Sequence, residues 1–599
     1  MAGRRIRRIA SCVLALGLIV MLGEAAISAQ PDCPPQALGE GQMSRCAYAE
    51  HLRAMWLGEA IANWTGLTTE GVRQDAPFYT DADWGRDQDL DWKMVDVIDF
   101  VVQDPWLADD DTDIEYVYLH LMTQGGAPLL SAAQIAEGWQ AHINDWIWVS
   151  NARARGLMEV GALPPVTSMG AINPDYLQID AQLTTELFGA LAPGMPAEAL
   201  RLANLPILTT AGGYAAHAAQ FYVLLYALAA QVDPALPPRD QLLWLIGEAR
   251  QYLPDTSKAA DIVDFVVADY LANPDVDDWE ATRDRVYERY HRDARENGFL
   301  YQDWTESSVN FASGLIALLY GGGDFRRTVQ IGALTGWDSD NGTATMGGLI
   351  GLLYGDEALT AAFPDEVLSD RYQSHRTRPT LPDYLPDDRR AEDTFTAMAE
   401  RMLPLVDAAI LQAGGTVEGD LWTLPAPSSQ PPLTLNPLEQ IYRSSANNQV
   451  RETGGAIEVS VEGEAAASRL AGIADGLEFN FSGQERPRRI PGVYERDADA
   501  GEVVVSVVYD RVLNVQAIWL IEGSAGGSAL RAEALIDGVW GPLPEGTRLS
   551  PEPDAGIAYQ SFTFILPEPL ALSGVRVRIE AGGRLSEVSV VELDAVLAG

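Results

Sequence analysis

The hydrophobic periodicity of this chain changes once, and that change limits the folds open to it. Before residue 414, apolar residues recur at three- and four-residue spacing, as in Ala132 to Val149 and Val309 to Tyr320, a pattern that predicts helices. From about residue 441 they alternate with polar residues, as in Val503 to Tyr509, a pattern that predicts strands.

We therefore predict a multidomain protein with a large all-α domain at residues 47–413 and a C-terminal antiparallel β-sandwich at residues 441–599. The 599 residues are too many for one hydrophobic core. Residues 414–440 are rich in Pro, Ser, Thr and Gly, which favours a linker.

The formal net charge of -44 limits the partners of this protein. A field of that sign repels phosphate backbones and anionic lipid, so we expect no nucleic-acid partner. No apolar segment beyond the N-terminus is long enough for a membrane span.

The N-terminus predicts export. Arginines at positions 4, 5, 7 and 8 precede the apolar run Ile9 to Leu22, and small residues follow at Ala25 to Ala29. This order is typical of a secretory signal peptide, here residues 1–29. We expect an extracellular or periplasmic protein whose residues 30–46 form a short N-terminal tether.

Two cysteines remain after removal of that signal, Cys33 and Cys46. In an oxidising compartment a disulfide between them is the first expectation. Two free thiols are the alternative.

Two acidic clusters precede predicted helices. One is Asp109-Asp110-Asp111 and the other is Asp338 with Asp340. Aspartate is common at helix N-caps and in first turns, so either cluster alone is explained by capping. Three aspartates in a row exceed what a cap needs.

The two clusters together favour a metal site. Unit charges 4 Å apart repel by roughly 4 kcal/mol at an intermediate dielectric, so converging carboxylates must protonate or bind a cation. Oxygen ligands select Mg²⁺, Mn²⁺ or Ca²⁺, and Thr112, Ser339 and Asn341 add neutral oxygens. Glycines at 347, 351 and 355 leave a bare stripe for close helix packing.

These motifs resemble the ADP-ribosylglycohydrolase family. The stretch Gly336 to Gly355 looks like the family's C-terminal G-x-D-x-D signature, and Asp109 to Asp113 resembles its T-D-D-T motif. Gly58 to Ile61 resembles its opening segment, Val309 to Phe325 its lead-in, and Asn173 to Tyr176 an N-P-type stretch. The resemblance covers most of residues 47–375.

The resemblance implies a fold and an activity. Active members of that family are all-α, hold two Mg²⁺ or Mn²⁺ ions, and cleave the bond between the terminal ribose of ADP-ribose and a protein side chain or small acceptor. The partner would then be an ADP-ribosylated or otherwise ribosylated small molecule or protein.

The resemblance also implies site residues. The metal ligands would be Asp109, Asp110, Asp111, Asp338, Asp340 and Asn341, where Asp109 and Asn341 occupy positions that often hold Thr. Glu70 would be the general acid/base, and its alternative is a solvated loop carboxylate. Substrate contacts would come from Asn173, Asn310 and Trp337. Glu59 departs from the family pattern, because it stands where an Asp is usual.

The strand-rich C-terminal region resembles a galactose-binding-like module, on the stretches Gln516 to Ile521, Ala532 to Trp540 and Val575 to Glu580. That resemblance implies a glycan partner, and a structural appendage is the alternative. Two functions therefore stay open: a secreted metal-dependent hydrolase, and a catalytically silent metal-binding scaffold that acts through its C-terminal sandwich.

Overall fold

The structure is a computed structural model. The residues it describes are 33, 38, 39, 41–87, 97–143, 145–159, 161–168, 173, 175–253, 255, 257–273, 275, 277–294, 296–299, 301–382, 393–426, 456–461, 464, 465, 494–497, 502–522, 529–550, 560–580 and 587–597. The predicted signal peptide lies outside them.

Helices dominate the chain up to residue 412. They are α1 (Arg45–Gly66), α2 (Asp110–Gly125), α3 (Ala132–His142), α4 (Val149–Glu159), α5 (Leu187–Ala190), α6 (Pro196–Thr210), α7 (Gly213–Leu228), α8 (Pro238–Arg250), α9 (Lys258–Ala272), α10 (Trp279–Val286), α11 (Ser307–Gly321), α12 (Phe325–Leu334), α13 (Ser339–Ala362) and α14 (Phe395–Gln412). The prediction of a large helical domain is confirmed.

Strands dominate from residue 456. The strands of the described residues are β1 (Gln42–Ser44), β2 (Trp106–Leu107), β3 (Arg371–Gln373), β4 (Asp393–Thr394), β5 (Thr416–Glu418), β6 (Leu421–Thr423), β7 (Ala456–Val461), β8 (Glu464–Ala465), β9 (Tyr494–Asp497), β10 (Val503–Glu522), β11 (Ala529–Ile536), β12 (Val539–Pro542), β13 (Arg548–Ser550), β14 (Gln560–Glu580) and β15 (Glu587–Leu597).

Helices α1 and α13 pack closely against each other, and glycine makes this close approach possible. A Cβ on Gly347 would lie 2.7 Å from the carbonyl oxygen of Gly58, and one on Gly351 would overlap the carbonyl of Ala54. The predicted bare stripe therefore exists at these two positions. Gly355 differs, because its φ of 71° interrupts the helix there.

A small sheet joins β1, which precedes the first helix, to β5 and β6, which follow the last helix. Strand β6 pairs with β1 and with β5, all antiparallel, and Trp422 of β6 is fully buried. Residues 416–423 lie inside the segment interpreted as a linker, yet they pack on the helical core. These residues pack on the helical core because Trp422 stacks edge-on against Tyr48 and its indole N–H donates to Asp407.

The C-terminal region is built on two long antiparallel strands, β10 and β14, paired from Val503–Ile579 to Glu522–Gln560. The first half of β10 also pairs with β7, and its second half pairs with β15. Register shifts between Val508 and Ala517 separate the halves, and such bulges let strands turn from one sheet into another. A separate apolar core fills this region, as the sandwich prediction requires.

None of the helices in the described part of the chain combines the length and apolarity that a membrane crossing demands.

Candidate metal centre

Two groups of three carboxylates lie at helix N-termini in the helical domain. Asp109, Asp110 and Asp111 open α2, and their nearest carboxylate oxygens lie within 4.8 Å of one another. Glu70, Asp338 and Asp340 form the second group within the same limit, at the start of α13. The first group was predicted as a unit, and the structure adds Glu70 to the second.

The amide of Asn63 joins the two groups. Its Nδ2 donates to Asp111 Oδ2 at 3.0 Å and to Asp340 Oδ2 at 3.4 Å. The Nδ2 of Asn341 donates to Asp111 Oδ1 at 3.3 Å. The acidic clusters therefore converge, which is the geometric condition that a shared cation site sets.

Capping does not explain the residues at the two N-cap positions. Asp109 precedes α2 and Asp338 precedes α13, yet neither side chain accepts a cap hydrogen bond from its helix. The Oδ2 of Asp109 is buried and has no hydrogen-bond partner. A buried carboxylate oxygen without a donor is costly unless a cation binds it.

Trp337 positions Glu70 beside Asp338. The Trp337 N–H donates to the Arg73 carbonyl at 2.9 Å, and the Gly71 N–H donates to the Trp337 carbonyl at 2.8 Å. Trp337 adopts a positive φ of 55°, which is uncommon for a residue other than glycine. This pair of backbone bonds holds the loop that carries Glu70 against the start of α13.

Burial and mutual repulsion shift the acidity of this site. The pKa values of Asp110, Asp111 and Asp338 are raised well above the usual range, first by burial and then by neighbouring carboxylates. Asp109 is shifted in the same direction, by burial and then by the charge of Glu70. Without a counter-ion, protons would have to neutralise part of the cluster.

Both groups open onto one cavity of about 660 Å³. Seven aspartates and Glu70 line it and are here called the acidic floor, and four tryptophans line it as well and are here called the wall tryptophans. The described lining residues that matter for its chemistry are Glu70, Asp109, Asp110, Asp111, Asp180, Asp303, Asp338 and Asp340, the tryptophans Trp64, Trp146, Trp148 and Trp304, and Arg376.

Four predicted site residues do not line this cavity: Asn173, Asn310, Trp337 and Asn341. Asn310 accepts from the Asp338 N–H at 3.1 Å and donates to the Trp304 carbonyl at 2.9 Å. The buried Asn173 donates to the Thr167 carbonyl at 2.8 Å. The polar atoms of Asn173, Asn310 and Trp337 bond other parts of the protein, and direct substrate contact by these three residues stays a prediction. Asn341 was predicted as a metal ligand, and its buried Oδ1 has no hydrogen-bond partner.

A second acidic layer lies one helical turn below. Glu59 lies one turn before Asn63 on α1, and Glu115 lies one turn after Asp111 on α2. Together with Glu186 they form a layer in which all three side chains are buried. Burial raises the pKa of Glu186 to about 7, and it raises those of Glu59 and Glu115 well above their usual values. Glu59, which fills the unusual position in the opening motif, belongs to this layer.

Several site residues carry no motif that would have revealed them. Asn63 is the one amide side chain of α1, and it lies in the buried last part of that helix. A polar residue among apolar ones is the only sign of its role that the sequence contains. Asp180 bonds the N–H groups of Ser150 and Asn151 at the start of α4. The four wall tryptophans come from three distant segments, with Trp146 and Trp148 in the same one, so only the fold brings these segments together.

Cys33 and Cys46 are both disulfide-bonded cysteines.

Comparison with known proteins adds the following. A search of curated proteins finds no match. Among solved structures, the chain is similar to one titled "ADP-ribosylglycohydrolase-related protein complex", with 16% identity and a TM-score of 0.36 over 60% of this chain and 99% of that one.

The chain is also similar to the family 32 carbohydrate-binding module of NanJ from Clostridium perfringens, solved with galactose, with 14% identity and a TM-score of 0.17 over 25% of this chain and 97% of that one. A pectin-binding carbohydrate-binding module is similar at 14% identity and a TM-score of 0.16, over 24% of this chain and 91% of that one.

The sequence model described as ADP-ribosylglycohydrolase matches residues 45–400, which is more than half of the chain. That range contains α1, α2 and α13 and with them both carboxylate groups of the cavity. The chain belongs to the ADP-ribosylglycohydrolase family.

Proposed function

We propose that this protein is a secreted, metal-dependent hydrolase that cleaves an ADP-ribosyl or related N- or O-ribosyl glycosidic bond. One observation carries the proposal: two groups of three carboxylates, from distant parts of this chain, converge on one cavity. The chain is itself a member of the family. Family membership supports glycohydrolase chemistry, and the carboxylates support the metal dependence.

The donor set fits divalent cations. Five aspartates at positions 109, 110, 111, 338 and 340 would hold two Mg²⁺ or Mn²⁺ ions, because all their donors are hard oxygens. The buried Oδ2 of Asp109, which has no hydrogen-bond donor, supports the fit. The Nδ2 of Asn341 orients Asp111, and its buried Oδ1 has no hydrogen-bond partner, so Asn341 stays a proposed ligand beside the aspartates.

Cations bound there would neutralise the carboxylates and supply Lewis acidity toward the sugar hydroxyls and water. Glu70 acts beside them as the general acid/base. Its carboxylate lies on the cavity surface next to Asp338, so it can accept a proton from an attacking water. The backbone bonds at Trp337 hold it there.

The walls of the cavity exclude solvent around the sugar. Trp64 and Trp304 are mostly buried and flank the acidic floor, and the remaining volume suits a ribosyl group with part of its substituent. Among the described lining residues, Arg376 is the one basic side chain. Its guanidinium lies over the ring of Trp64, 5.3 Å from the centroid.

The C-terminal sandwich supports a glycan-binding proposal less directly. Trp540 is a half-buried aromatic on β12, but the guanidinium of Arg576 covers one face of its ring at 4.6 Å. That contact limits the area of the ring that can stack on a sugar. Tyr494 on β9 is the second aromatic residue that the sequence offers for a sugar-binding face, and its side chain lies outside the described residues.

Calorimetric titration tests the proposal in two steps. Metal-free protein is titrated with Mg²⁺, and the loaded protein is then titrated with ADP-ribose and screened for turnover of ADP-ribosylated arginine, ADP-ribosylated serine and simple ribosides. Uptake of metal followed by turnover supports the hydrolase. Metal uptake without ribosyl binding or turnover would leave a silent scaffold, and no uptake would refute the metal centre.

A further inference from the structure

An exposed aromatic loop at residues 145–149, here called the aromatic loop, forms one wall of the cavity. Trp146 and Trp148 both line the cavity, and they are 52% and 42% exposed. Their rings lie edge to face with centroids 6.0 Å apart. Large aromatic side chains with this exposure inside an active-site cavity present flat faces to whatever enters it.

The backbone of the aromatic loop is strained. Trp146 has a φ of 52° and Val149 a φ of 45°. A positive φ is a clear outlier for a β-branched residue such as valine. Strain of this kind persists only where surrounding contacts hold the backbone in place.

Arg378 makes one set of the contacts that hold this loop. The Arg378 guanidinium donates to the carbonyl of Asp145, and its Nη2 lies 3.5 Å from the carbonyl of Trp146. The same Nη2 lies 3.2 Å from Asp113 Oδ1, and both side chains are fully buried. Asp113 lies on α2, the helix that begins with the acidic trio.

The neighbouring Arg376 makes a parallel connection. Its Nη1 donates to the Ala108 carbonyl at 3.1 Å, just before the acidic trio, and its guanidinium lies 5.9 Å from the Trp146 ring centroid. Residues 376–378 therefore bridge the start of α2 and the aromatic loop. The position of the aromatic wall is fixed relative to the carboxylates through these bridges.

We propose that Arg378 is a positioning residue that holds the aromatic loop as a specificity wall, and that this wall recognises a planar ring carried by the ribosyl substrate. The inference rests on the proposed function and extends it to substrate selection. The ring is either the base of the ADP-ribosyl group or an aromatic leaving group, since both stack on indole in the same way.

The fork geometry of arginine explains why this residue holds the loop. One guanidinium can pair with Asp113 and reach two successive carbonyls, whereas a lysine ammonium keeps the charge but lacks the rigid fork. Arg378→Lys therefore preserves charge balance around the buried Asp113 while it loosens the loop. Arg401→Lys is the matched control, because Arg401 is paired with the buried Asp393 and lies over Tyr116 instead.

Hydrogen exchange measured by mass spectrometry tests the positioning role in the full chain. In Arg378→Lys, amide exchange at residues 145–149 should rise about tenfold, while Mg²⁺ affinity stays within about twofold of wild type. Arg401→Lys should leave exchange in the loop unchanged. Unchanged exchange in Arg378→Lys, or an equal increase throughout α2, overturns the positioning role.

Two ligand pairs test the specificity role and identify the ring. Binding of ADP-ribose is compared with that of ribose 5-phosphate, and hydrolysis of 4-nitrophenyl riboside with that of methyl riboside. Trp146→Ala should weaken the ring-bearing member of one pair roughly three- to tenfold, as a KM or Kd effect with kcat retained. Arg378→Lys should show the same selective loss.

The possible negative results distinguish the specificity wall, the proposed function and the positioning role of Arg378. Equal weakening of both members of each pair, or no change in either pair, overturns the specificity wall. If the Mg²⁺-loaded wild type neither binds nor hydrolyses any of the four, the proposed function fails and the specificity role fails with it. The exchange experiment then still decides whether Arg378 positions the loop.

Discussion

Asp111 and Asp340, from distant parts of the helical domain's sequence, accept hydrogen bonds from the same nitrogen atom, Nδ2 of Asn63. This shared donor brings the α2 and α13 carboxylates into one site. It also partly screens two negative charges that otherwise repel.

Removal of that donor should weaken both the fold and the metal site. Asn63→Ala deprives two buried carboxylates of a hydrogen bond, so the free energy of unfolding should fall by about 2 kcal/mol, and Mg²⁺ affinity should fall roughly tenfold as the ligands lose their alignment. Chemical denaturation and calorimetry measure these. The exposed Asn297→Ala serves as the control, and an affinity equal to wild type in Asn63→Ala would contradict the assignment.

Neutralisation of one proposed ligand carboxylate should raise the stability of the metal-free protein and lower that of the Mg²⁺-loaded protein. Asp340→Asn removes one repelling charge from the cluster, so in EDTA the variant should be more stable than wild type by roughly 2 kcal/mol. In saturating Mg²⁺ it should be less stable, because it has lost a ligand. Thermal melts in both buffers provide the comparison, and the same sign in both would argue against a metal role.

Truncation of the same side chain gives a second test. Asp340→Ala should abolish Mg²⁺ binding and leave the helical circular dichroism largely intact. Loss of the helical signal would instead make Asp340 a structural residue.

The pH dependence of stability follows from the raised carboxyl pKa values. Because Asp111 and Asp338 hold protons more tightly in the folded state than in the unfolded chain, they contribute stability that is fully present at low pH and is lost as pH rises above about 4. Asp113, with a pKa raised by burial to about 7 despite Arg378, places part of this loss below pH 7.

Denaturation midpoints between pH 5 and 8 test this dependence. Midpoints should fall with rising pH in EDTA, and saturating Mg²⁺ should remove most of the fall because the cation replaces the protons. A metal-free midpoint that climbs steadily over this range would show that the carboxyl groups are not protonated in the folded state.

The contact between α1 and α13 should tolerate no side chain at its glycines. Gly351→Ala would drive a methyl group into the Ala54 carbonyl, which should destabilise the protein by about 3 kcal/mol. Gly247 is the matched control, since it is also helical but has open space around its Cβ position. Gly247→Ala should stabilise the protein by about 0.5–1 kcal/mol, and equal effects would contradict the packing account.

The sequence predicted what depends on local pattern. Helical periodicity, the Gly347 and Gly351 stripe and the aspartates before α2 and α13 were all visible in short stretches. Those features work because the spacing of side chains on a helix and the chemistry of carboxylates hold in any fold.

The sequence could not predict what depends on long-range placement. Substrate contact by Trp337 stays a prediction, and the sequence did not reveal that the backbone of Trp337 holds the loop that carries Glu70. Asn310 is a similar case, because its amide bonds the Asp338 N–H and the Trp304 carbonyl, a role that the sequence did not reveal. Trp146 and Arg378 belong to separate segments, and no spacing rule connects an exposed tryptophan to a buried arginine far along the chain.

The central claim is that the converging aspartates bind divalent cations, and calorimetric titration of EDTA-treated protein with Mg²⁺ at pH 7.5 tests it most directly. The account predicts saturable binding of two ions per chain, lost in Asp340→Ala while the fold persists. Absence of Mg²⁺ and Mn²⁺ binding to a folded wild-type protein would contradict it.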